Sequence, residues 1–339
     1  MISNQIQILL STLILLIVEC TGEELKLVYQ WTQLDAPAKE PDKSQVVFDP
    51  KDKPHQFNET FNAYGNLPMG IAHHKGRLFV SIPRRRPGIP STLAVINMHA
   101  VQGVNNPPLV GYPEQLVNTL HCNEAYAYIP DYQWPGLYVY SLAENRMWRF
   151  NHNYFCFEPQ NGRFNVAGIR FDWNDGIFSL AVGQVDSTTG HRMVYLHAMA
   201  AVGEIAVSNA VLKNETLARS GDEYSDLFIH LGSRGPNTHS SSHAFDEKTG
   251  VLFYAEVNRN SIGCWNSKRR FDADNHGIVH LDNSDMIYPA DLVIDTEGVL
   301  WVISNKLPIW IYSKLNVTDF NYRIWRQTTK SAINGTLCM

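Results

Sequence analysis

The chain of 339 residues sets 28 Lys and Arg against 33 Asp and Glu, a formal charge of −5, with 18 % charged and 11 % aromatic residues. A mildly acidic chain lacks the electrostatic footprint of a nucleic-acid binder. So few charges beside so many aromatics exclude a disordered chain and fit a β-rich globular protein.

At the start of the chain, Ile6 to Val18 form an apolar run broken only by Gln7, Ser11 and Thr12, and Cys20-Thr21-Gly22 follows with small residues. The pattern predicts a secretory signal peptide over 1–22, cut near Gly22. The run is shorter than the roughly 20 apolar residues a membrane-spanning helix needs, so no membrane anchor is expected. Residues 23–339 are read as one domain, secreted and extracellular. Acceptor sequons for N-glycosylation at Asn58, Asn214, Asn316 and Asn334 agree with export. Without Cys20, the exported chain holds Cys122, Cys156, Cys264 and Cys338, and their spacing alone does not choose among the pairings.

Further along, IAHHKGRLFVS (71–81), LAVGQVDSTTGHRMVYLHA (180–198), HAFDEKTGVLFYAE (243–256) and LVIDTEGVLWVIS (292–304) repeat one pattern. Each has apolar residues, a short polar turn ending in Gly, and apolar residues again, which predicts strand, turn and strand. AYAYIPDYQWPGLYVYSL (125–142) and WIYSKLNVTDFNYRIW (310–325) read as further hairpins, and no amphipathic helix exceeds two turns. The turn glycines Gly190, Gly250 and Gly298 recur at 60 and 48 residues. The second spacing matches the roughly 40 to 50 residues of a four-stranded propeller blade. An all-β propeller is therefore expected, with a two-sheet sandwich as the alternative. Arg84 to Arg86 fall on a connection after a blade strand, as solvated stems rather than a binding patch.

Six stretches together carry a resemblance: IPRRRPGIPSTLAVI (82–96), NRMWRFNHNYF (145–155), DGIFSLAV (175–182), LFYAEVNRNSIGCWN (252–266), YPADLVIDTEGVLWVISNKLP (288–308) and INGTLCM (333–339). From about residue 27 onward the chain resembles the insect yellow and major royal jelly protein family. The resemblance implies a secreted six-bladed propeller. It also implies a disulfide between Cys264 and Cys338. It leaves Cys122 and Cys156 either paired or free. One departure stands out: VGYPEQLVNTLH (110–121) runs straight into Cys122, where the family carries several dozen further residues, about one blade. The chain then forms either a five-bladed ring or part of a six-bladed one.

A propeller binds small molecules where its innermost strands converge. The residues that open those strands are Met69 with Gly70, Gly176 with Ile177, Ser242 with His243, and Ala290 with Asp291, with Arg234 and Asn305 on neighbouring loops. Asp291 and Asn305 are expected to bind an amine or hydroxyl, and Phe178 or Tyr288 to stack on a ring. His243 is the expected general base and Arg234 the carboxylate clamp. His73-His74 and His239-x-x-x-His243 lack a third ligand, so neither metal nor cofactor is expected. The family implies action in melanin and cuticle pigmentation by converting dopachrome, as a tautomerase or decarboxylase. The alternatives are a non-catalytic binder of biogenic amines and a structural or nutritional secreted protein. The expected partners are small aromatic molecules such as dopachrome and catecholamines.

Overall fold

The computed structural model describes residues 24–34, 62–83, 85, 93–111, 125–221 and 223–339. The predicted signal peptide, Asn58, Cys122, Arg84 and Arg86 lie outside them.

Strand β1 (Lys26–Trp31) precedes blade I, made of β2 (Gly70–His74), β3 (Arg77–Ser81), β4 (Leu93–Asn97) and the short β5 (Val110–Gly111). Blade II has three strands, β6 (Tyr126–Asp131), β7 (Gly136–Ser141) and β8 (Arg146–Phe150). A separate hairpin, β9 (Arg163–Val166) and β10 (Ile169–Asp172), leads to blade III, with β11 (Ile177–Val185), β12 (Arg192–Ala198), β13 (Gly203–Ser208) and β14 (Ile229–Ser233). Blade IV comprises β15 (Ser240–Asp246), β16 (Val251–Glu256), β17 (Ser261–Asn266) and β18 (His276–Leu281). Blade V holds β19 (Pro289–Ile294), β20 (Val299–Ser304) and β21 (Tyr322–Thr328), and β1 pairs antiparallel with β21 as its outermost strand. The start and the end of the domain are thus tied into one sheet, giving a five-bladed propeller.

The predicted turns form where expected. Lys75-Gly76 joins β2 to β3, with Gly76 at φ +72 in the left-handed region that glycine enters without steric cost. The stretch 310–325 departs from its predicted hairpin: Leu307–Tyr312 is helical. Pro308 sits in the first turn of that helix, where its missing N–H leaves no donor unpaired. Trp310 then turns inward and its indole N–H donates to the Tyr64 carbonyl at 2.7 Å.

The apolar core lies between the blades. One cluster, around Ile71, Leu78, Val80, Trp301 and Ile303, fills the junction of blades I and V. Others join IV to V through Phe253, Leu292 and Val302, II to III through Val139, Phe150 and Leu196, and III to IV through Tyr195, Leu252 and Tyr254. Cys264 on β17 and Cys338 near the C-terminus form the expected disulfide, and Cys156 is free and exposed.

Candidate functional site

The innermost strands β11, β15, β19 and β2 stand side by side, with β6 beside β11, so the residues that open them gather at one end of a central channel. Asp291 sits in that wall as a clip across three blades. Its Oδ2 accepts from the Ile71 backbone N–H at 2.9 Å, and its Oδ1 accepts from the Ser242 hydroxyl at 2.6 Å and the Leu292 N–H at 2.9 Å. Gly70 makes this possible, because a Cβ there would stand 3.3 Å from the Asp291 carboxylate and 2.7 Å from Ser81 Oγ. Burial raises the Asp291 carboxyl to about 6, against the lowering effect of those donors. The side chain nonetheless remains only partly buried.

Asn305 is wholly engaged in the fold. Its amide donates to the Pro68 carbonyl at 2.7 Å and its oxygen accepts from the Leu307 N–H at 3.1 Å, which fixes the bend into the helix. Tyr288 is 1 % exposed at φ +53, and the adjoining bend carries Lys306 at φ +52. Left-handed non-glycine residues are strained positions that tend to gather at functional sites. Phe178 is half-buried against Tyr132, with ring centroids 5.6 Å apart.

His243 and Arg234 are brought together, but in the interior. Glu204 on β13 pairs with Arg234 Nη1 at 2.8 Å, lies 3.1 Å from His197 Nδ1, and faces His243 Nε2 at 3.3 Å, all with side chains shut off from solvent. Arg234 further donates to the carbonyls of Thr238 and Gly203 and lies 4.7 Å over the Tyr254 ring. The His243 Nδ1 is 2.7 Å from Ser179 Oγ, which joins blade IV to blade III. Burial would raise the Glu204 carboxyl, but His197 and His243 outweigh it and hold the group well below the ordinary range. Burial drives the His197 imidazole down to about 4.

The ligand atoms of His197, Glu204 and His243 lie within 4.8 Å of one another, the spacing of a metal-binding trio. Arg234 already supplies the cation that Glu204 needs. A divalent ion added beside it would leave an uncompensated charge in a closed interior, which is strongly unfavourable. The cluster therefore serves as an ionic rivet between blades III and IV.

The open groups lie in the connections at the channel mouth. Trp173, Tyr288, Tyr312 and Phe171 form an aromatic wall, with Trp173 4.5 Å from Phe171 and 6.4 Å from Tyr288 between ring centroids, and the Trp173 indole N–H donating to the Tyr312 hydroxyl at 2.6 Å. Beside them Asp175 is half-buried, and burial raises its carboxyl against the pull of exposed Arg85. Arg85, Asp175 and Tyr312 all act electrostatically on the Tyr288 hydroxyl, which burial raises, so the four groups share one neighbourhood. Sequence reasoning missed Asp175, Arg85, Trp173 and Tyr312, although Asp175 directly precedes Gly176 at the start of an inner strand.

Comparison with known proteins agrees with this architecture. The family model described as major royal jelly protein matches residues 109–338. The chain belongs to the major royal jelly protein family. Among its relatives, the L-dopachrome tautomerase yellow-f of Drosophila melanogaster is 36 % identical over 359 aligned positions, covering 82 % of this chain and 83 % of that protein. The protein yellow of Drosophila madeirensis is 31 % identical over 354, covering 80 % and 61 %, and that of Drosophila melanogaster 30 %, covering 80 % and 64 %. The chain thus spans less than two thirds of these yellow proteins. The alignment with yellow-f is longer than the 339 residues of this chain although only 82 % of the chain takes part. That relative therefore carries several tens of residues without a counterpart here.

Of the predicted glycosylation sites among the described residues, Asn214, Asn316 and Asn334 are exposed. No described helix is long and apolar enough to cross a membrane.

Proposed function

We propose that this protein is a secreted yellow-family protein acting in melanin pigmentation, and that it converts dopachrome or a related catechol-derived quinone at the channel mouth. The observation that carries the reading is a half-buried carboxyl, Asp175, within electrostatic reach of the Arg85 guanidinium and beside an aromatic wall where the inner strand β11 begins. The 36 % identity to a relative named L-dopachrome tautomerase supports it.

Isomerising dopachrome to a dihydroxyindole takes one proton from the carbon that bears the carboxylate and one from its saturated ring neighbour, and returns two to the quinone oxygens. A base must stand beside that carbon and a cation beside the carboxylate. On sequence grounds these tasks fell to His243 and Arg234, whose side chains are enclosed and committed to Glu204. Asp175 and Arg85 are of the right chemistry with room for a substrate. A carboxyl whose ionised form is disfavoured by burial is a stronger base once ionised, and Arg85 can hold a carboxylate. Tyr312 and Trp173 offer faces for the ring.

The test is the rate of dopachrome loss catalysed by the purified protein. Asp175→Asn should lower kcat by about 10² or more, the usual contribution of general acid–base catalysis, while Arg85→Gln should chiefly raise KM. An unchanged rate in Asp175→Asn, with a large loss in His243→Ala and an intact fold, would move the base back to the interior.

Asp291 favours a second reading, a non-catalytic site for biogenic amines. Asp291 is of intermediate exposure in the channel wall, and its carboxylate has the charge to pair with an ammonium. Saturable heat on titration with dopamine, together with no acceleration of dopachrome loss, would select it.

A further inference from the structure

We propose that the cleft between blades I and V is a second binding site, separate from the channel mouth, that takes an organic anion with an apolar body. The cleft encloses about 760 Å³ and lies where β2 and β19 end rather than where they begin. Asp291 and Asp295 are four residues apart, about 13 Å along an extended chain, so the two sites do not overlap. A volume of that size suits a small organic ligand.

Its polar floor is built and rigid. The Asp295 carboxylate accepts from the Glu297 and Val299 N–H groups at 2.9 Å each, from the Trp301 indole N–H at 2.8 Å, and from His73 Nδ1 at 2.8 Å. These four contacts satisfy it, so Asp295 is no longer a ligand for anything else; it orients His73. The His73 ring stacks on Trp301 with centroids 4.9 Å apart and planes at 29°, which fixes its rotation. His73 lines the cleft, and its Nε2 has no hydrogen-bond partner among the described residues. That nitrogen accepts from a hydroxyl when neutral and donates to an oxyanion when protonated.

The rim decides the class of ligand. Lys75 and Arg326 stand at the rim with Glu297, two cations to one acid, while the buried Asp295 carboxylate in the floor makes the lining formally neutral as a whole; the Arg326 guanidinium lies 5.6 Å over the Trp301 ring. Val28, Met98 and Val101 supply apolar wall. Two cations at the rim over an apolar wall suit an amphipathic carboxylate, sulfonate or phosphate.

The experiment titrates the full protein with the fluorescent anion 8-anilinonaphthalene-1-sulfonate and compares variants that melt at the wild-type temperature. Binding should saturate at one site. Lys75→Gln with Arg326→Gln should weaken it at least tenfold, and Val101→Trp, which fills the cleft, should abolish it. Asp175→Asn should leave it unchanged. Absence of saturable binding would overturn the proposal. So would an affinity unaffected in Lys75→Gln with Arg326→Gln, because the dye would then be held on another apolar surface; this pair alone decides should Val101→Trp not fold.

Discussion

The two sides of the ring are built differently. From blade III through IV to V and on to I, each junction has both an apolar cluster and a polar clip. Ser179 and Glu204 meet His243, and Ser242 and Ile71 meet Asp291. Between blades I and II the described residues contain neither. Blade II packs one face on blade III through Val139, Trp148 and Phe150, while its other face leaves Ile129 46 % and Met147 53 % exposed. In a propeller each repeat is stabilised mainly by its neighbours, so stability is concentrated on the closed side. The gap falls where 112–124 lie outside the described residues, the point at which family members are expected to carry extra chain.

The comparison is broken most forcefully at its strongest clip. Arg234→Leu would strand the Glu204 carboxylate in a closed interior, and removing one partner of a buried pair costs about 3–5 kcal/mol. Urea denaturation should show this loss, and Glu204→Gln combined with Arg234→Met should recover much of it. If the double variant is no more stable than the single one, the loss does not come from the stranded Glu204 charge.

How much of this is legible in the sequence depends on where each residue lies. Turn glycines such as Gly250 and Gly298 mark hairpins because a left-handed backbone needs them locally, and the hairpins counted in chain order give the propeller. Asp291 and Tyr288 are legible at the channel because residues that open inner strands must converge. Glu204 and His197 were not, since they lie on β13 and β12 and acquire meaning only from Arg234 and Ser240 beyond them in the chain. Trp173 and Asp175 come from an irregular connection, where no period points to a partner, and Tyr312 ends a helix that the sequence reads as strand. The helix at Leu307–Tyr312 was hidden because Trp310, Ile311 and Tyr312 are also good strand residues, and Pro308 decides against the strand.

A smaller effect separates the Asp291 clip from the Glu204 rivet through pH. The folded-state carboxyl of Asp291 is raised to about 6 from an ordinary value of 3.8. Its contribution to stability is then fully present below pH 3.8 and lost as the pH rises through about 6. Glu204 runs the other way: its carboxyl is depressed, so its contribution is present at neutral pH and lost only in strong acid. Subtracting the stability of Asp291→Asn from that of the wild type across this range should therefore leave a curve that falls with pH, by at most about 3 kcal/mol for a shift of that size. A difference that is flat, or that rises with pH, would mean that Asp291 is ionised as readily in the folded chain as in the unfolded one. In that case the carboxyl would be better hydrated than its place in the channel wall implies.

The smallest effect probes the open flank itself. Ile129 on β6 and Met147 on β8 flank β7 on the face of blade II turned from blade III. Exposed side chains without packing partners contribute within about 0.5 kcal/mol, so Ile129→Ser and Met147→Ser should leave the denaturation midpoint almost unchanged. The matched change Val139→Ser, on the buried face of the same sheet, should cost several times more, because it removes a packed apolar side chain and buries a hydroxyl. Should the exposed-face variants prove as costly as Val139→Ser, that face must be covered in solution. The mass of the particle would then say by what: twice the chain mass means a second copy, and the mass of one chain means residues of the same chain closing the ring.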